Sequence, residues 1–96
     1  MLNEKCDAIV KYLNIEFPES YIEQANIRDE QYFKIPIEKG LLLLKVNREF
    51  IEDNSIEDIL SEFNKQNIYT LLHENPKLGV FINQKGPSLF ERSSKL

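Results

Sequence analysis

Four leucines in succession, Leu41 to Leu44, stand between Gly40 and Lys45-Val46, and no other stretch of the 96 residues commits so much apolar surface to so few positions. The run falls far short of the roughly 20 apolar residues that a membrane-spanning helix needs. Bounded by turn signals, it reads instead as a strand buried on at least part of both faces. The rest of the chain has to supply that cover.

A chain of this length forms one domain, expected over residues 1–92 with a polar C-terminal tail at 93–96, because no proline-, glycine- or serine-rich linker divides it. Its core is thin, since a domain of this size buries only about 60 to 65% of the surface its unfolded chain exposes. A balance of 42% hydrophobic and 29% charged residues is that of a folded rather than a disordered chain. With 12 Lys+Arg against 16 Asp+Glu the net charge is −4, which provides no general attraction for nucleic acid or an anionic membrane, so neither is expected as a partner. Cys6, the single cysteine, cannot form an internal disulfide, and the N-terminus lacks the pattern of a signal peptide. The expectation is cytoplasmic. Ser94-Lys95-Leu96 spells a peroxisomal address when it ends a eukaryotic protein, which makes the peroxisomal matrix the alternative.

Leu2, Cys6, Ile9, Val10 and Leu13 recur at helical spacing between Asn3, a candidate N-cap, and Asn14, a candidate stop. They predict an amphipathic first helix with Cys6 as a small buried thiol on its apolar stripe. Residues 15–31 are broken by Pro18-Glu19-Ser20 and read as a loop that packs Phe17, Ile22 and Ile27 onto the body, with the capacity to fold over a sheet face.

Tyr32–Ile37 and Leu41–Val46 form the next unit, a hairpin whose register decides which surface is core. A two-residue Lys39-Gly40 turn pairs Ile37 with Leu42, Ile35 with Leu44 and Phe33 with Val46. A three-residue Glu38-Lys39-Gly40 loop instead pairs Phe33 with Lys45 and Lys34 with Leu44. The first separates the faces more cleanly and is preferred. The opposite face then carries Tyr32, Pro36, Leu41 and Leu43 beside Lys34 and Lys45, which is more apolar than an ordinary solvated face.

A second helix is predicted from Ser55 to Gln66, with Asn54 and Glu57, or Ser55 and Asp58, as a capping pair ahead of Ile56, Ile59, Leu60 and Phe63. Ile68 to Leu72 is rich in strand formers and with Leu78–Asn83 reads as another hairpin around Glu74–Lys77. A short helix capped by Asn67 is the alternative for residues 68–74. Gln84–Pro87 is a turn signal, and Ser88–Arg92 a short edge strand. The resulting fold class is α+β, a two-layer sandwich in α-β-β-α-β-β order, with a mainly antiparallel four-stranded sheet and both helices on one face. In element order and acidity the chain resembles small secretion-chaperone-like α+β proteins, a likeness of topology that carries over no residue.

No chemistry stands out from this frame. His73 is the only histidine, without the partners of a zinc site or a nucleophilic triad, and reads as an ordinary polar residue. Gly40, Gly79 and Gly86 are isolated, so no phosphate-cradling loop is present in the sequence, and no cofactor or catalytic role is expected. Glu49, Glu52, Asp53, Glu57, Asp58 and Glu62 form the densest acidic run; it lacks the glycine and distal glutamate of an EF-hand loop and reads first as solvated helix surface. The sequence therefore points to a small noncatalytic protein-binding or adaptor module. It is expected to self-associate, or to bind a protein partner, through an apolar sheet face around Tyr32, Leu41, Leu43, Leu72 and Phe81. The alternative is an acidic inhibitor or immunity-type protein that blocks a basic site on a partner enzyme through Glu49, Glu52, Asp53, Glu57 and Asp58.

Overall fold

The computed structural model describes residues 2–92. Its elements are α1 (Leu2–Glu16), β1 (Glu23–Ile27), β2 (Glu30–Ile37), β3 (Gly40–Asn47), α2 (Arg48–Asp53), α3 (Ile56–Lys65), α4 (Ile68–Glu74), β4 (Leu78–Asn83) and β5 (Gly86–Glu91). The fold is α+β, with helices packed against a single sheet of five strands in the order β1-β2-β3-β4-β5. Neighbours are antiparallel except β3 and β4, which run parallel. A parallel pair cannot be joined by a tight turn, and the three helices α2 to α4 form the crossover that joins these two. The expected mainly antiparallel sheet of four strands is thus corrected to five strands with one parallel pair. Ser94-Lys95-Leu96 and the rest of the tail lie outside the described residues, among which no helix is long and apolar enough to cross a membrane.

The central hairpin adopts neither anticipated register. Ile37 pairs with Gly40, Ile35 with Leu42 and Phe33 with Leu44, leaving Glu38-Lys39 as the turn. Gly40 begins β3 at φ +153°, a conformation that side chains rarely adopt. Compared with the preferred register, every pair has slid by two residues. Because side chains alternate with period two, a slip by two leaves the faces unchanged, so hydrophobic pattern alone cannot distinguish the registers. Phe33, Ile35, Ile37, Leu42, Leu44 and Val46 accordingly share one face, as anticipated.

That face is covered by the helices. Phe33, Ile35, Leu42, Leu44, Val46, Val80 and Ile82 form one buried cluster with Cys6, Ile9 and Leu13 of α1, Phe50 and Ile51 of α2, Ile59 and Phe63 of α3, and Ile68 and Leu72 of α4. Helix α3 starts where the capping signal placed it, with Ser55 Oγ accepting from the Asp58 amide at 3.1 Å. Helix α2, absent from the expectation, is capped by Asn47, whose Oδ1 accepts from the Phe50 amide at 3.3 Å. Residues 68–74 are helical rather than a strand, which overturns the second hairpin. Ile68 and Leu72, one turn apart, are buried against the sheet, and the place beside β3 that a strand here would have needed is taken by β4.

Residues 15–31 do not form a lid. Helix α1 continues past Asn14 to Glu16, and Ser20 Oγ donates to the Pro36 carbonyl at 2.6 Å, tying the segment to β2. Strand β1 then lies along the far edge of β2. Its sequence, Glu-Gln-Ala-Asn-Ile, has one strong strand former and is largely exposed, so the strand arises from pairing with β2 rather than from local preference. The two-residue link back to β2 places Arg28 at φ 57°.

Candidate functional site

Alternation along β3 sends Leu41, Leu43 and Lys45 to the face opposite the helices. The pairing registers extend that face across the sheet in rows, the first of which holds Pro36 and Leu41. Glu23, Lys34, Leu43, Gly79 and Phe90 form the next row and Ala25, Tyr32, Lys45, Phe81 and Ser88 the one after; beyond it Ile27, Glu30 and Asn47 stand side by side, and Asn83 stands opposite Gly86.

Phe90 and Gly79 are matched by shape. A Cβ built on Gly79 would stand 2.2 Å from the Phe90 ring, so the far end of the ring occupies space over the backbone that only glycine leaves open. Leu43, the neighbour of Gly79 on β3, is 1% exposed although it stands outside the helix-covered cluster. Lys45 sits between the two phenylalanines of this face. Its Nζ is 4.6 Å from the Phe81 centroid and 4.3 Å from the Phe90 centroid, a double cation–π contact that fixes both rings. Tyr32, opposite Lys45 on β2, is also buried outside the main cluster, and burial followed by the nearby Glu30 carboxylate pushes its phenol up from the ordinary value. Glu30 Oε2 is itself buried without a hydrogen-bond partner among the described residues.

Four of the five residues singled out for an apolar sheet face, Tyr32, Leu41, Leu43 and Phe81, therefore share one surface. Leu72 does not. It lies in α4 at 1% exposure, inside the helix-side core, because residues 68–74 coil rather than extend. Phe90 was missed: it falls in the anticipated edge strand, but its position over Gly79 depends on the β4–β5 register. Leu41, Phe81 and Phe90 are half-buried, and Ile27 at the edge is 41% exposed.

The acidic residues are gathered elsewhere. Glu49, Glu52 and Asp53 on α2, with Glu57 and Asp58 in the first turn of α3, are all exposed, whereas Glu62 is half-buried and accepts from Gln66 Nε2 at 2.7 Å. Lys5 reaches this region at the main-chain oxygen of Glu52, 2.9 Å away, and not at its carboxylate. His73 is exposed in the last turn of α4, its ring 5.7 Å from that of Tyr69. The Cys6 thiol is 5% exposed and pushed up chiefly by burial, which disfavours the thiolate a nucleophile needs. No protein-family model, curated protein or solved structure matches this chain.

Proposed function

We propose that this chain is a noncatalytic protein-binding module that works through the helix-free face of its sheet, with a second copy of itself as the occupant. The observation that carries this reading is the half-buried aromatic pair Phe81 and Phe90, held around Lys45 on a face that no helix covers among the described residues. Aromatic groups fixed in place by their neighbours lose little further freedom on binding, which makes them effective anchors. The same face carries Lys34 and Lys45 together with Glu23 and Glu30. A two-fold interface brings one patch against itself, and a patch that carries both signs of charge is complementary to its own copy.

The test is sedimentation of the wild type and of Phe81→Lys, with circular dichroism to monitor the fold. A wild-type dimer that becomes a folded monomer on substitution supports the proposal, and a wild type that stays monomeric at its highest attainable concentration defeats it. A second reading, the acidic inhibitor, is favoured by the exposure of Glu49, Glu52, Asp53, Glu57 and Asp58 on two consecutive helices. Association through those carboxylates weakens steeply with salt, whereas association through Phe81 and Phe90 changes little.

A further inference from the structure

A cavity of about 630 Å³ opens at the end of the molecule where the C-terminal end of α1, the turn between β2 and β3, and α4 with the loop after it converge. Its size lies within the range of roughly 300 to 1,000 Å³ usual for small-molecule sites. Phe17, Leu41, Leu42 and Tyr69 form an apolar wall, with the Phe17 and Tyr69 rings 5.1 Å apart. The two sides are tied together from outside the cavity. Arg92, just past β5, donates to the carbonyls of Leu41 on β3 and Pro76 on the loop after α4, and its Nε reaches the Lys77 carbonyl at 3.4 Å. At the mouth, Gly40 leaves open space where a side chain would stand.

Charge at the mouth runs against that of the chain. The protein as a whole carries −4, yet the lining brings exposed Lys39 and Lys77 together against one carboxylate, Glu38. An apolar wall beneath a cationic rim fits a ligand with an apolar body and one negative end. We propose that this cavity binds a small free carboxylate with an alkyl or aryl body, the body lying against Phe17, Leu42 and Tyr69 and the carboxylate held at Lys39 and Lys77. The site meets the helix-free sheet face only at Leu41, and the proposal does not depend on whether the chain pairs with itself.

The test is an amide NMR titration of the full-length chain with decanoate, its neutral analogue decanol, and a short peptide ending in leucine with a free carboxylate. Decanoate is expected to shift the amides of Gly40, Leu42, Tyr69 and Lys77, and to bind about tenfold more weakly to the double variant K39E/K77E while decanol changes by less than about twofold. Both lysines are exposed, so the double variant is expected to keep the fold, which its dispersed spectrum verifies. Equal affinity of decanoate for the two chains, shifts centred elsewhere, or no binding at all overturns the proposal. Binding of the peptide without binding of decanoate also overturns it, by assigning the cavity to a polypeptide terminus instead of a free small molecule.

Discussion

Leu44 and Leu43 are neighbours on one strand and almost equally hidden, at 0% and 1% exposure, yet they are buried by different means. Leu44 lies beneath the helix layer, in a cluster drawn from all four helices and three strands. Leu43 lies outside that cluster, on the helix-free face, where the Phe90 ring stands over the adjacent Gly79. Exposure alone does not distinguish a core from a thin surface layer. What distinguishes them is how many independent elements must move before water enters.

The largest expected effect tests that distinction directly. Leu44→Ala is expected to cost about 3 to 5 kcal/mol, because helices and sheet enclose it rigidly and the cavity persists. Leu43→Ala is expected to cost about 2 kcal/mol, since a single layer of side chains can settle into the gap. Denaturant midpoints at unchanged slope measure both, and equal losses would erase the difference between the faces. For the same reason Leu43→Lys is a poor probe of association, and Phe81→Lys, at a half-buried site, is the better one.

A sharper test concerns Phe90 alone. Gly79→Ala is expected to destabilise by about 1 to 3 kcal/mol by driving a methyl group into the ring. In Phe90→Ala the ring is gone, and the same glycine substitution is expected to cost less than about 1 kcal/mol. Additivity of the two substitutions would mean that the ring is not the cover.

Smaller again is the Lys45 contact. Lys45→Met keeps most of the apolar stem but removes the cation from between Phe81 and Phe90, and a loss of about 0.5 to 1 kcal/mol is expected. The loss should be little affected by salt, unlike that of a surface ion pair, and thermal unfolding at two ionic strengths separates the cases.

The least effect is expected from pH. Tyr32 on the open face and Tyr12 on the helix side both have phenols raised by burial first and then by a neighbouring carboxylate, Glu30 and Glu16 respectively. A raised phenol contributes its full stability below the unfolded-state value of about 10 and loses it as pH rises through the folded-state value. Unfolding free energy should therefore fall above about pH 10, and Tyr32→Phe and Tyr12→Phe should each flatten the fall. A fall left unchanged by Tyr32→Phe would show that the open face admits water freely.

Several elements were legible because their signals are local. Ser55 and Asp58 announce the start of α3, the stripe from Leu2 to Leu13 announces α1, and alternation in Tyr32–Val46 divides the hairpin into two faces. Of the candidate face, Tyr32, Leu41, Leu43 and Phe81 follow from that alternation and its continuation in β4, whereas Leu72 was misplaced because Ile68–Glu74 satisfies helix and strand patterns alike. Strand β1 was missed for the opposite reason, having almost no pattern of its own.

The sequence by itself determined which side chains of β2 and β3 face together, since a period of two is written into the chain and survives any even slip. Tertiary structure decided the rest: the register of that hairpin, the parallel union of β3 with β4, and the placing of Phe90 over Gly79. Each of those depends on contacts between residues distant along the chain, whose favourable energy appears only once the partner is in place. No local pattern records it.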